Sequence, residues 1–327
     1  MRLWIERGFS RLPIAERMLI AEPTLQLYTN PRQTPKGATV LASPRSTTRP
    51  SAEINRVMAE HHIDAFWPQN SAKCNLGRVT RTVHAAGPPE IIALVDDKTA
   101  FSHWLGDDPM RADAVEVEGV DALETEVRAR QDTNRVTCVK PVIGVNGNGY
   151  WKLTADGNAG FLDDPEPREI GTDIYVNAVR LSESNTDAPK RRMLVMDWLP
   201  GPEVSVDLLC WKGVPLIQAA RTKIDANHQR IEGYHAVVPH ARDVAERLRL
   251  HGVVSMQYRL DSTGNWRMLE VNPRPAGGSI HSEDAGFGIL AAWARLIAGT
   301  MEPEDAIQKQ TSCLVVFRRS AHVLEQD

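Results

Sequence analysis

The chain has 327 residues, with 38 lysines and arginines against 42 aspartates and glutamates, for a formal net charge of −4. That balance excludes recruitment of nucleic acid or an anionic membrane by bulk charge, and the length argues for two domains or one subdivided domain. With 42% apolar and 24% charged residues, the composition is that of an ordinary soluble globular protein.

The N-terminus, "MRLWIERGFSRLP", is charged throughout and lacks the apolar run of a signal peptide. Cys74, Cys138, Cys210 and Cys313 are scattered without a C-x-x-C pair, as expected of reduced thiols in a cytoplasmic protein. In chain order, "RLWI" reads as a strand, "LPIAERMLIAE" as a helix, and "LQLY" and "ATVLA" as strands. A helix over "SAEINRVMAEHH", capped by Ser51, and a strand "IDAFWP" follow. "AKCNLGRVTRTVHAA" is expected to be a helix and "EIIALV" a strand. Such alternation predicts parallel strands with crossover helices, an open α/β domain ending near residue 94.

Next, Asp96 or Asp97 can cap a helix carrying Lys98 in its first turn. "DALETEVRARQ" reads as a helix, "RVTCVKPVIG" as a buried strand, and 155–192 as hairpins and loops, with "KRR" at 190–192 solvated. "RMLVMDWLPG", "VSVDLLCW" and "VPLIQAA" form a strand-rich block. Helices are expected at 241–251, 283–299 and 303–309, strands at 253–260 and 265–271, and a last strand at "CLVVF". The apolar stretch "GILAAWARLIAG" is too short to span a bilayer.

Two segments carry chemistry. "KPVIGVNGNGYWKL" sets Gly144, Gly147 and Gly149 after a strand ending at Lys140. Glycines let backbone N–H groups turn toward a phosphate, and a lysine adds a point charge. The spacing matches neither a Walker loop nor a dinucleotide fingerprint, and a plain hairpin with a glycine-rich tip fits the residues as well. In "SMQYRLDSTGNWRMLEVNPRPAGG", alternation puts Glu270 and Asn272 on one strand face. A turn centred on Thr263-Gly264 would set Gln257 opposite Glu270. Three such hard oxygens suit Mg²⁺ completed by waters and phosphate oxygens, whereas any one of them alone reads as a polar residue on a solvated face. The histidines show no H-E-x-x-H spacing.

In order, "VDDKTAFSHWL", "CVKPVIGVNGNGYWKL", "MDWLPGPEVSVDLL" and "VSMQYRLDSTGNWRMLEVNPRPAGG" resemble the successive signatures of the ATP-grasp ligases. The likeness covers about 95–280 and points to the branch of carbamoyl-phosphate synthetase large subunit, biotin carboxylase and amino-acid ligases. It implies an α/β and α+β architecture. An open, Rossmann-like pre-ATP-grasp domain (1–94) would precede an ATP-grasp domain (95–327), with a small subdomain at about 95–198 and a large one at about 199–327.

The resemblance also assigns residues. Lys98 and Lys140 match the lysines that hold ATP phosphates, and Gly144, Gly147, Asn148 and Gly149 lie in the loop closing over them. Met196, Asp197, Trp198 and Leu199 match the hinge that receives adenine, and Glu203 the acid that binds the ribose. Gln257, Glu270 and Asn272 match the ligands of Mg²⁺, with Mn²⁺ also acceptable. Arg274 matches the arginine that neutralises the transferring phosphoryl group, and Arg221 a further phosphate- or intermediate-binding arginine. Gly277, Gly278, Ser279 and His281 are substrate candidates. Asn146 and Asn148 stand where many relatives have glycine, and Asp197 where glutamate is common.

The implied enzyme is a cytoplasmic carboxylate–amine ligase that uses ATP, makes an acyl phosphate and acts on small molecules, with no nucleic-acid or membrane partner and a homodimer allowed. The alternatives are phosphorylation of a carboxylate or carbamate, as in carbamoyl-phosphate synthetase, and a non-catalytic ATP-binding regulatory module.

Overall fold

The computed structural model describes residues 1–6, 11–29, 37–41, 49–68, 74–143, 148–154, 159–163, 168–184, 190–225, 227–306, 308 and 311–316. Two compact units emerge. One comprises Met1–Ala93, Pro202–Tyr258 and Val271–Asp327, the other Leu94–Gly201 and Arg259–Glu270.

The chain begins with β1 (Arg2–Ile5), α1 (Arg11–Ala21), β2 (Gln26–Thr29), β3 (Thr39–Val40), α2 (Ser51–Glu60), β4 (Ala65–Trp67) and β5 (Thr82–Val83). The strands form a parallel sheet in the order β3-β2-β1-β4-β5, with Leu3 level with Leu27 on one side and Ala65 on the other. This is the open α/β sheet that the strand–helix alternation predicts.

Local readings differ at three places. Residues 74–86, expected to be helical, form bends and β5. Gly77 and the β-branched Val79, Thr80, Thr82 and Val83 disfavour a helix. Asn55 of α2 offers their backbone other partners, donating to the Arg78 carbonyl (2.8 Å) and accepting from the Thr80 N–H (3.0 Å). "EIIALV" lies in a helix, α3 (Pro89–Asp96), rather than a strand. Pro89 is preset for a first helical turn and Glu90 favours its positive end; a short apolar run cannot by itself distinguish the two states. Pro50, not Ser51, stands at the N-cap of α2, and the Ser51 hydroxyl donates to the Asn75 carbonyl at 2.5 Å.

The second unit contains α4 (Lys98–Leu105), β6 (Ala114–Glu118), α5 (Val120–Asp132), β7 (Thr137–Pro141), β8 (Trp151–Thr154), β9 (Glu169–Gly171), α6 (Thr172–Ser184) and β10 (Arg192–Asp197). Its sheet runs β6-β10-β7-β8-β9, and Leu194 of β10 lies opposite both Glu116 and Lys140. Leu123 and Val127 of α5 share a core with Val176 and Val179 of α6 and with Val139 and Val195 of the sheet. The stretch 155–192, expected to be hairpins and loops, thus includes a 13-residue helix. Its buried Thr172, Val176 and Val179 recur at helical spacing, and the Thr172 hydroxyl donates to the Thr154 carbonyl at 2.8 Å.

The chain continues with β11 (Glu203–Trp211), β12 (Val214–Lys223), β13 (His228–Glu232), α7 (Val238–Arg247), β14 (Gly252–Leu260), β15 (Trp266–Asn272), α8 (Ser279–Asp284), α9 (Ile289–Ala298) and β16 (Ser312–Val316). These strands form a sheet in the order β15-β14-β11-β12-β13-β16. The single helix expected over 283–299 is two helices, because Gly286 and Gly288 take φ of 82° and 68° between them. Glu283 caps the new start, accepting from the Leu290 N–H (2.7 Å) and the Ala291 N–H (3.3 Å). In place of the helix expected at 303–309 there is one 3₁₀ turn, Pro303–Asp305. Among the described residues no helix is long and apolar enough to cross a membrane, and no disulfide links the cysteines.

Within the first unit, Trp293 of α9 is wholly buried in a core shared by Leu3 and Ile5 of β1, Trp67 of β4, Leu209 of β11 and Ile217 of β12. Beside it, His84 Nδ1 lies 3.2 Å from His251 Nε2, and the Lys212 N–H donates to His251 Nδ1 at 3.1 Å. The last bond fixes the tautomers: His251 carries its proton on Nε2 and donates to His84. Burial is the main cause that lowers both imidazole pKa values from 6.5 to about 4. The unfolded chain takes up these protons first, so stability is full above pH 6.5 and is lost as pH falls toward 4. Urea unfolding across that window should show a loss of roughly 3 kcal/mol per histidine. His84→Phe should flatten the slope, and an unchanged slope in that variant would refute the assignment.

Candidate active site

In the second unit, α4 starts on an Asp97 cap, whose carboxylate accepts from Thr99 N–H (2.9 Å) and Ala100 N–H (3.0 Å). Lys98 is therefore the first residue of the helix, and its ammonium donates to the Val142 carbonyl just past β7 (3.4 Å). Lys140 lies on β7, half-buried. Its ammonium pKa is lowered chiefly by burial, with the Lys98 charge adding and the Glu270 carboxylate offsetting part. Two lysines and one carboxylate thus act on one another electrostatically at the end of β7.

Gly144 and Gly147 lie outside the described residues. Asn148 and Gly149 are exposed. Gly149 has φ of 76°, and a Cβ there would sit 2.8 Å from Cγ of the Pro141 ring, so the return of the chain into β8 requires glycine.

The hinge, Met196 to Leu199, leaves β10 against β7. Met196 is buried, and the Trp198 N–H donates to the Val136 carbonyl at 2.7 Å. The Asp197 side chain is committed to Arg130 (2.9 Å) and Arg135 (2.5 Å), so what it offers a ligand is backbone. Lys152 stands 4.0 Å over the Trp198 ring and is paired with Glu169 at 2.8 Å. Met196 and Leu199 share an apolar cluster with Cys138, Tyr150 and Leu269. Burial pushes the Cys138 thiol up to about 11 and raises the Tyr150 phenol as well. The hinge also borders a cavity of about 290 Å³ whose walls include Arg111, Asp113, Thr263 and Arg267.

Arg259 and Cys138 escaped the sequence reading. The Arg259 guanidinium donates to the Leu199 carbonyl (2.6 Å) and the Pro200 carbonyl (3.2 Å). Its only sequence signal is a basic residue inside an apolar strand pattern, "SMQYRL".

In the first unit, Glu203 opens β11 and pairs with Lys223 of β12 at 2.5 Å. Gln257 lies on β14 in the same unit, and Glu270, the last residue of the second unit, shares a face of β15 with Asn272; all three are half-buried. The hairpin tip is a loop of Ser262 to Gly264, closed by Asp261 N–H to the Asn265 carbonyl (2.9 Å), with Gly264 at φ 83°. It is one residue longer than the Thr263-Gly264 turn expected from sequence, because the Asp261 carboxylate accepts from Thr263 N–H and Asn265 N–H, both at 2.9 Å. The side-chain oxygens of Gln257, Glu270 and Asn272, one carboxylate and two amides, are each of the hard type that suits Mg²⁺, but the Asp261–Asn265 closure lies one residue away from the register expected to set Gln257 opposite Glu270. The Arg274 N–H donates to the Asn272 carbonyl at 2.7 Å, a tight bend that follows the strand at once.

Arg221 and Asp207 form the other centre. Asp207, fully buried on β11, accepts from Arg221 Nε (2.7 Å) and Nη2 (3.2 Å) and from the hydroxyls of Ser279 and Ser282 (2.7 Å each). Burial works to raise its pKa, but Arg221 and the hydroxyls hold it below the ordinary value. Ser279 also accepts the Ala276 N–H (2.9 Å), and His281 on α8 has its pKa lowered by burial and by the Arg221 charge. Gly277 is exposed, whereas a Cβ on Gly278 would lie 2.3 Å from Arg221 Nη1. Of the substrate candidates, Gly278, Ser279 and His281 thus lie around the Arg221–Asp207 pair, and Gly277 is not drawn into it by any contact among the described residues. A lone aspartate inside the apolar strand "VSVDLL" was the available signal.

Residues 189–319 match the family model described as "ATP-grasp in the biosynthetic pathway with Ter operon". Among solved structures, biotin carboxylase from Campylobacter jejuni, as its beta-gamma-ATP complex, aligns with TM-score 0.65 and 11% identity over 96% of this chain and 74% of that one. L-amino acid ligase from Bacillus licheniformis aligns with TM-score 0.60 and 13% identity over 93% and 77%. The biotin carboxylase domain of 2-oxoglutarate carboxylase from Hydrogenobacter thermophilus, a dimer with MgADP, ADP and bicarbonate, gives 0.59 and 15% over 93% and 72%. At such identities the likeness is one of fold. No curated protein sequence matches the chain.

Because the Arg221 guanidinium is pinned by two bonds to Asp207, it cannot swing away from an added methyl group. Gly278→Ala should lower stability by about 2–3 kcal/mol, read as a shift in urea midpoint. Wild-type stability in that variant would mean that the Asp207 cluster is looser than described.

Proposed function

We propose that this chain is an ATP-dependent carboxylate–amine ligase of the ATP-grasp kind acting on small molecules, and the observation that carries this reading is the pair of lysines, Lys98 and Lys140, at the end of β7. Lys98, whose ammonium donates to the Val142 carbonyl, and Lys140 on β7 bring two cations to the end of one strand, an arrangement that suits a polyanion. A nucleoside triphosphate meets that need, and Gly149 lets the backbone bend where phosphates would approach. Trp198 N–H and the Leu199 carbonyl are engaged within the hinge, whereas the Leu199 N–H is not among the groups so engaged and serves the base. Glu203 serves the ribose.

Gln257, Glu270 and Asn272 would hold Mg²⁺, which when bound supplies charge neutralisation for the phosphates. Lys98, Lys140 and Arg274 neutralise the charge that develops as a substrate carboxylate oxygen attacks the γ-phosphorus. The bond to ADP breaks and an acyl phosphate forms. An amine then attacks the acyl carbon, phosphate leaves with the bonding pair, and the amine proton passes to solvent or phosphate. The chain supplies position and charge rather than a covalent nucleophile. In this reading residues 1–94 are the pre-ATP-grasp domain, and 95–198 and 199–327 the two subdomains.

ADP release should require both an acid and an amine. Release with acid or bicarbonate alone would favour the phosphorylating reading, and tight ATP binding without turnover across pools of acids and amines the regulatory one. Glu270→Ala and Arg274→Ala should each reduce kcat by roughly 100-fold or more. Lys140→Ala should weaken ATP binding as well, and wild-type rates in any of the three would remove that residue from the site.

A further inference from the structure

Arg259 does something at the hinge that neither phosphate binding nor catalysis uses. Its guanidinium donates to two consecutive hinge carbonyls, Leu199 (2.6 Å) and Pro200 (3.2 Å). The next residue, Gly201, has φ of 91°, and a Cβ on it would meet Cζ, Nε and Nη2 of Arg259 at 3.4 Å. The Gly201 N–H in turn donates to the Leu260 carbonyl at 3.1 Å. The charge is also felt by the Cys138 thiol and the Tyr150 phenol, whose pKa values burial raises and Arg259 lowers in part. Leu199, whose carbonyl the guanidinium holds, belongs to the apolar cluster with Cys138, Tyr150 and Met196.

We propose that Arg259 is a specificity-determining residue that selects adenine over guanine by occupying the hinge carbonyls. This rests on the reading of the hinge as the base site. The two purines differ where they face such a hinge. Adenine presents a ring acceptor and an amino donor; guanine presents a carbonyl acceptor and two adjacent donors, N1–H and N2–H. A guanine reading this edge needs two backbone acceptors in succession after an N–H. The Leu199 N–H followed by the Leu199 and Pro200 carbonyls is such a series. Arg259 already donates a charged hydrogen bond to each of these carbonyls, so guanine would have to share both acceptors with a guanidinium whose N–H groups compete with its own donors. Adenine meets the Leu199 N–H with its ring acceptor and has one amino group to place, where guanine must satisfy N1–H and N2–H side by side. A lysine could not replace it, since one ammonium on a flexible stem does not span two carbonyls as a planar fork does.

The test is equilibrium binding of Mg-ATP and Mg-GTP to the full chain, by titration calorimetry, for wild type, Arg259→Met and Arg259→Lys. Circular dichroism and the thermal midpoint show that each variant is folded. Wild type should bind ATP at least about tenfold more tightly than GTP. In Arg259→Met that ratio should fall by about tenfold, mainly through tighter GTP binding, which a merely structural role would not produce. Arg259→Lys should lie between, and carries the test alone should the methionine variant fail to fold. An unchanged ratio in a folded variant overturns the inference and leaves the ligase reading standing. So does a wild type indifferent to the base. Binding of neither nucleotide by wild type overturns both.

Discussion

Asp207 is a carboxylate with no exposure to solvent, and the geometry around β11, β12 and α8 depends on how it is satisfied. Removing such a charge from water costs several kcal/mol, which one ion pair in good geometry can only partly offset. Here Arg221 supplies two N–H donors and Ser279 and Ser282 one hydroxyl each. The donors come from β12 and from α8, far apart in the chain, so the charge is stable only when both elements are at the right distance from β11. The requirement extends to a residue with no side chain, since only glycine at 278 leaves room for the guanidinium. A buried polar cluster specifies a structure in this way because the half-satisfied alternatives are worse than an apolar core.

The cluster at the end of β7 has the opposite character. Lys98, Lys140 and Glu270 bring two cations against one carboxylate, and burial already disfavours the Lys140 charge. Asp207 lowers its energy by completing a set within the fold; the lysines would do so by gaining an anion from outside. The Asp207 centre is accordingly read as architecture that orients Arg221, and the lysine cluster as the place where ligand binding energy is available. The separation agrees with Gly149, where the backbone turns beside Lys140's own strand at an angle that leaves no space for a side chain.

The sequence was legible where a local rule determines the outcome. Asp97 before Lys98 is a cap followed by a helix, and Gly-rich and Pro-rich punctuation marked the ends of β7 and β15. Short apolar runs flanked by helical patterns were enough to place the parallel sheet around β1. It was illegible where a distant partner decides. "EIIALV" is equally apolar as strand or helix, and its Pro89 start tips it to helix. Residues 74–86 have the apolar spacing of a helix, yet their backbone is taken by Asn55, about twenty residues earlier. Asp207 and Arg259 look like single charges in apolar strands, and their partners lie in segments that the one-dimensional pattern cannot pair.

The hinge explains why such hidden residues matter for a site whose visible motif is mostly backbone. A strand end normally leaves peptide groups that solvent must satisfy and that would reorganise on binding. Here Val136 receives the Trp198 N–H, Leu260 receives the Gly201 N–H, and Arg259 supplies the carbonyls between them. Lys152 holds the Trp198 ring from the β8 side, and Glu169 holds Lys152. A base arriving at such a hinge meets groups whose orientation is already fixed, so little of its interaction energy is spent on ordering the protein. On the proposed reading of the hinge as a base site, the same fixation would make it selective, because a rigid pattern of engaged and available groups cannot adjust to an edge that presents donors where it has donors. Rigidity and discrimination would then be one property, and both would run through the guanidinium of a residue that belongs to no recognisable motif.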